Sequence, residues 1–303
     1  LVTCVDQIGQ GESTLLNGGA VYSRQNESAV RLAVYKALEV KTVTQVVNKL
    51  GTIAGNEAIS PIMITRLVVP TPELEQGIRR SLKAGAFTDE PIDFPDLRQA
   101  FALLDQPTIW EIAVTGCLEV MARHLLLKSG LSIREYMRHS MATAAGCKVI
   151  GESLGLPKEP LFLIGLYHNI GVPIMAHSYP ESYANYLVSL QGSAITLEEA
   201  ERKEFEFTHE DVGSIFLMAA TMPDAAWQAA SSHHSNEPSE DLVSCIVRLA
   251  SNVAHQVGCT LGLANACNAL PANLVSHIGL NDSIMTTLAH QMSVAAGRAD
   301  KIE

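Results

Sequence analysis

Apolar residues recur along most of this chain at three- and four-residue spacing, the period of a helix buried on one face. Ala29, Val30, Leu32, Ala33, Val34 and Leu38 predict a helix over 27–38, and Val43, Val46, Val47 and Leu50 predict a second one stopping at Gly51. Pro61 and Pro70-Thr71-Pro72 punctuate the next stretch, with Pro72 placed to open a helix toward Lys83. Pro91 and Pro95 mark a loop before a helix over 96–104. Pro107 then opens a long apolar helix through Leu127, closed by Ser129-Gly130.

Beyond Gly130 the polar positions do more of the punctuation. Ser132 and Glu135 have capping-box spacing for a helix running to Leu154, ended by Gly155-Leu156-Pro157. Pro160 starts a helix ending at His168-Asn169. Thr196 caps another with Glu199 three positions on, and Thr208 or His209 begins the next, ending near Met222-Pro223. Further helices are expected over 225–232, over 242–257, and after Pro271. The first 25 residues break the pattern with Gly9, Gly11, Gly18 and Gly19, where a short hairpin is the alternative. No period of 20 to 50 residues repeats, which excludes a solenoid. The expectation is an all-α chain.

At 303 residues there is ample material for one large domain or two packed lobes. The net charge of −11 disfavours nucleic acid and anionic membranes as partners, because basic pairs such as Arg79-Arg80 are isolated. No apolar run is long enough to cross a bilayer, and no signal peptide is visible at Leu1 to Val5. The first residue is Leu1 rather than Met, which leaves room for a longer parent protein. The cysteines, Cys4, Cys117, Cys147, Cys245, Cys259 and Cys267, form no CxxC pair. Cys117, Cys147 and Cys245 lie in apolar helices, so the expected compartment is a reducing cytoplasm.

Candidate chemistry concentrates in histidine. Of ten, five stand in a suggestive order: His139, His168, His209, and the pair His233-His234, each read as lying near a helix end where side chains from several helices converge. Neutral imidazoles suit Fe, Zn, Ni or Mn. The remaining five, His124, His177, His255, His277 and His290, have no partner at ligand spacing and are expected to be surface or satisfied core residues. The glutamates Glu198, Glu199, Glu201, Glu204 and Glu206 alternate with Arg202 and Lys203, as on a solvated helix face, with Glu204 or Glu206 close enough to His209 to support it. Trp110, Trp227 and Cys147 read as packing, and Gly9-Gln10-Gly11 lacks the context of a nucleotide-binding loop.

The ordered set resembles the HD phosphohydrolase superfamily in its HD-GYP-like arrangement, and more closely the HDOD domain, an HD-related output domain of bacterial signalling proteins. The likeness rests on Arg138-His139-Ser140, on Gly155-Leu156-Pro157, on Gly165-Leu166-Tyr167-His168-Asn169-Ile170-Gly171, and on Thr208-His209-Glu210-Asp211-Val212-Gly213. It is strong over about 96–257, weaker over 27–95 and absent before that. It implies an N-terminal segment at 1–26, an N-terminal helical lobe at 27–128 and an HD-like lobe at 129–303. It also implies a regulatory or scaffold role in the cytoplasm, with other signalling proteins as partners, including those handling cyclic dinucleotides.

Where this chain departs from that pattern matters for chemistry. The Asp that bridges two metals in catalytic relatives is Asn169, the late Asp falls on Asn252, the Lys after Ile-Gly is Val172, and Ser235-Asn236-Glu237-Pro238 replaces a Gly-Tyr-Pro segment. A carboxamide offers one neutral oxygen and an amino group that repels cations. Hydrolysis by metal-activated water needs that lost charge, and each missing group is expected to cost about 2 to 4 kcal/mol of transition-state stabilisation. The set His139, His168, Asn169, His209, His233, His234 and Asn252 therefore reads as a vestigial site with no catalytic residues, still able to hold a single transition ion. The alternatives are a divergent metal-dependent phosphohydrolase acting on a nucleotide or cyclic dinucleotide, and a metal or small-ligand sensor.

Overall fold

The computed structural model describes residues 24–38, 41–54, 60–88, 90–94, 96–191, 193, 195–235, 241–262 and 272–302. Among these residues there are helices and connecting turns and no strand, as the periodicity requires. The hairpin suggested for the first residues, and Cys4, Cys267 and Asn236 to Pro238, lie outside them.

Helices α1 (Arg24–Ala37), α2 (Lys41–Thr52), α3 (Pro61–Val68), α4 (Pro72–Lys83) and α5 (Leu97–Phe101) precede the long α6 (Gln106–Leu125). Pro61, which reads in the sequence as an interruption, occupies the first turn of α3 behind the Ser60 cap, where a missing N–H costs nothing. Helices α2, α3 and α4 all pack on α6, which is buried nearly all round, including Ile109, Ile112, Val114, Leu118 and Met121. Asp105 sets its start, accepting from Thr108 N at 2.8 Å. α1 leaves this group and lies against α9 and α12 of the later half.

The second half is built on α7 (Ile133–Ser153), against which α8 (Lys158–Tyr167), α14 (Leu242–Gln256) and α16 (Asp282–Ala299) all pack. Ser132 Oγ accepts from Glu135 N at 3.2 Å, as its spacing predicts. Small residues on α7 allow close approach. A Cβ on Gly165 of α8 would lie 2.8 Å from Cys147 Sγ and 3.0 Å from Ala144 Cα. Cys117, Cys147 and Cys245 are buried, and burial pushes the Cys117 and Cys147 thiols far up, so they pack as small hydrophobes.

Three helices go beyond the sequence expectation: α3, already described, and α9 (Gly171–Ser178) and α10 (Pro180–Ser189). Each carries a proline within its first turn, which looks like a break in one dimension but is tolerated there. Helices α11 (Leu197–Phe205), α12 (His209–Ala219) and α13 (Asp224–Ala230) come next, and α15 (Ala272–Ile278) precedes α16. The box at Thr196 and Glu199 closes in both directions, at 2.9 and 3.1 Å. After α16, Asp300 accepts from Arg134 at 2.9 Å and from Arg138 at 2.7 Å. Lys301 and Ile302 reach back to Gly85 and Arg123, so the chain's end ties α7 to α6 and to the turn after α4.

Candidate metal centre

The histidines singled out from sequence arrive from four directions. His139 lies two turns into α7 rather than near its end, His168 follows α8, His209 opens α12, and His233 and His234 follow α13. His139, His168, His209 and His233 are buried, as is Asn169; His234 is half-buried. α9 and α12 are brought together by Gly171 and Gly213. A Cβ on Gly171 would fall 1.8 Å from the carbonyl oxygen of His209, so only glycine lets the two helix starts meet this closely.

Hydrogen bonds fix how the rings face. His139 Nδ1 donates to Cys259 O at 2.9 Å, His168 Nδ1 to Gly165 O at 2.7 Å and His233 Nδ1 to Ala230 O at 2.9 Å. A carbonyl can only accept, so these Nδ1 atoms carry the protons and the Nε2 atoms carry lone pairs. His139 Nε2 and His168 Nε2 then face each other at 3.2 Å with no proton between them. Asn169 spans the pocket: its Nδ2 lies 3.2 Å from His139 Nε2 and its Oδ1 2.9 Å from His233 Nε2. The first contact is a hydrogen bond; the second sets two acceptors against each other, and flipping the amide only exchanges the mismatch.

His209 is held differently. Its Nδ1 donates to Glu201 Oε2 at 2.7 Å, and its Nε2, though buried, has no hydrogen-bond partner. Ring nitrogens of His209, His233 and His234 lie within 4.8 Å of one another. Inward lone pairs that repel, and a buried nitrogen with nothing to bond, are what a bound cation would satisfy, with each Nδ1 anchored behind it. The residues present therefore fit a transition ion with nitrogen ligands.

The electrostatics agree. Burial pulls His168 down to about 3, and burial with neighbouring histidines holds His139, His233 and His234 well below the ordinary imidazole range. All four stay neutral at physiological pH. Burial opposes charge on His209 too, but the Glu201 carboxylate outweighs it and pushes this imidazole up to about 9. Binding a cation at Nε2 would release that proton. Burial pushes the Glu210 carboxyl up to about 8, and it accepts from His234 N at 2.9 Å.

The HDOD domain model matches residues 41–236, which span this whole constellation up to the paired histidines. The chain belongs to the HDOD domain family. Among solved structures, it is similar to an HDOD domain protein of unknown function from Geobacter sulfurreducens, at 15% identity over 91% of this chain and 99% of that one, with a TM-score of 0.70. A candidate phosphohydrolase from Shewanella amazonensis SB2B aligns at 11% identity over 89% and 98% of the two chains, with a TM-score of 0.65. A candidate signal transduction protein from Marinobacter aquaeolei VT8 aligns at 15% identity over 99% of this chain and 63% of its own, with a TM-score of 0.62. At such identities these likenesses show the fold. No curated protein matches the chain.

Within this HDOD chain several expected roles shift. Val172 is buried and apolar where a phosphate-binding Lys stands in active relatives of the pattern. Asn252 is half-buried and donates to Arg248 O of its own helix at 2.9 Å. His255, expected to stand apart from the site, places its ring 4.7 Å from that of His139. Burial pulls it down to about 4. It lies two turns after Arg248 on α14, a spacing that could have flagged a shared face. The support of His209 comes neither from Glu204, which accepts from Ser182 and Tyr186, nor from Glu206, which accepts from Asn26. It comes from Glu201, which is fully buried in a helix that otherwise reads as a charged surface. No helix among the described residues is long and apolar enough to cross a membrane.

Proposed function

We propose that this HDOD protein is a non-catalytic regulatory or scaffold component of bacterial signal transduction, acting on other signalling proteins from the cytoplasm, and that its histidine pocket holds one transition ion. The observation that carries the reading is Asn169. It contacts His139 and His233 at once and brings no charge there. Bound there, an ion would supply a fixed positive charge among four neutral imidazoles. The chain's own residues do the rest. The Nδ1 bonds of His139, His168 and His233 orient the rings, and Glu201 holds His209. The carboxylate expected in the His-Asp pair is replaced by Asn169, and the Lys expected after Ile-Gly is replaced by Val172.

The test combines metal analysis with turnover. Purified protein is expected to carry or take up Fe, Zn, Ni or Mn, and to leave cyclic dinucleotides and generic phosphoesters intact with Mn, Fe or Mg. Hydrolysis that disappears in His168→Ala would establish the rival reading, a divergent phosphohydrolase.

A further inference from the structure

Glu201 is fully buried on α11, while Glu199, Glu204 and Glu206 of the same stretch are not. Both of its oxygens are committed. Oε2 accepts from the His209 backbone N–H at 2.9 Å and from His209 Nδ1 at 2.7 Å, and Oε1 accepts from the buried Tyr183 hydroxyl. Part of this arrangement is helix capping: Glu201 takes the His209 N–H at the start of α12, while Asp211 accepts from Thr208 N at 2.7 Å. What the carboxylate adds is the ring: with Nδ1 fixed, His209 Nε2 is turned inward, where it is the only imidazole nitrogen among the buried side-chain atoms lacking a partner in the described residues.

Tyr183 belongs to α10, and α10 is stitched to α11 by further polar bonds. Ser182 Oγ and Tyr186 OH donate to the two oxygens of Glu204, each at 2.6 Å. The two helices thus form an arm whose most deeply buried polar link to the pocket runs Tyr183, Glu201, His209. We propose that Glu201 is the positioning residue of the histidine site and that, through Tyr183, it makes the α10–α11 arm respond to occupancy of that site. This rests on the metal-holding reading above. A carboxylate behind a ligating imidazole raises its basicity and fixes its direction, and an ion held at Nε2 in turn locks the ring whose Nδ1–H Glu201 accepts.

The experiment uses the full chain, zinc as probe, and the variants Glu201→Ala, Glu201→Gln and Tyr183→Phe. Zinc affinity is expected to fall roughly 10- to 100-fold in Glu201→Ala and by less in Glu201→Gln, which keeps an acceptor oxygen and the side-chain volume and so guards against a folding artefact. Tyr183→Phe is expected to retain most of the affinity. Hydrogen exchange gives the second readout: zinc slows amide exchange over 180–205 in the wild type, and saturating zinc fails to do so in Glu201→Ala and Tyr183→Phe. Unchanged affinity in both Glu201 variants, or equal protection of the arm in all of them, overturns the proposal. A wild-type chain that takes up no zinc sinks the metal reading itself, which is a separate and recognisable outcome.

Discussion

Replacing Asn169 by Asp restores the residue found in catalytic relatives, and the structure gives this single exchange two opposite signs. In the metal-free protein, the Asn169 Nδ2 donor to His139 Nε2 becomes an oxygen, so acceptor faces lone pair at 3.2 Å as well as at 2.9 Å toward His233. The new carboxylate is fully buried, and the imidazoles it contacts, His139 and His233, are neutral. Stranding a buried charge in this way costs about 3 to 5 kcal/mol, unless a neighbouring histidine takes up a proton. For a chain of this size that is a fall in melting temperature on the order of 10 °C. With a divalent ion the same oxygen becomes a ligand and the cost reverses. Thermal melts at pH 8, in chelator and in saturating zinc, give the answer directly. Asn169→Asp should lie well below the wild type in chelator and gain far more from zinc. Equal stability of the two proteins in chelator, with equal gains from zinc, would refute the argument that the amide hydrogen bond and the convergent lone pairs shape this pocket.

Single contacts elsewhere in the molecule have consequences of their own. Gly171→Ala places a methyl against the His209 carbonyl, which cannot yield without moving α12, so denaturant unfolding should show a loss of about 3 kcal/mol or more, or no folded protein. For pH, His168 and His255 have folded values of about 3 and about 4, below the unfolded value of 6.5. Their contribution is thus fully present above pH 6.5 and is lost as pH falls toward the folded values, because only the unfolded chain takes up protons in that window. These two groups alone should take roughly 1 to 3 kcal/mol from the metal-free protein between pH 7 and 5.5 in urea titrations, with His139, His233 and His234 adding to the loss; a flat profile would contradict the buried neutral assignment. Asp300→Asn breaks the bridge from the chain's end to Arg134 and Arg138 and should cost about 1 to 2 kcal/mol, measured the same way.

Much of this fold is legible in the pattern because helical periodicity and caps are local. Thr196 with Glu199, Ser132 with Glu135, and Pro72 all mark helix starts where the structure has them. Helices α3 and α9 escape such reading because a first-turn proline and a stop-like proline look alike in one dimension. Of the ordered set of residue types, His139, His168, Asn169, His209, His233 and His234 lie in contact with one another in the structure, while Asn252 bonds within its own helix. What sequence cannot supply is direction. Glu201 belongs to a run of alternating charges, and only the turn of α11 buries it; His255 becomes a neighbour of His139 only because α14 crosses α7. Both are facts of packing between elements, α11 with its neighbours α10 and α12, and α14 with the distant α7.

The decisive question is whether the inward-facing imidazoles hold an ion. Elemental analysis of the chain purified without chelator, then again after exposure to zinc, manganese, iron and nickel salts, measures this without reference to any activity. About one transition ion per chain is predicted, falling sharply in His209→Ala and His233→Ala variants that remain folded. An intact chain that carries none and takes up none would contradict the central claim.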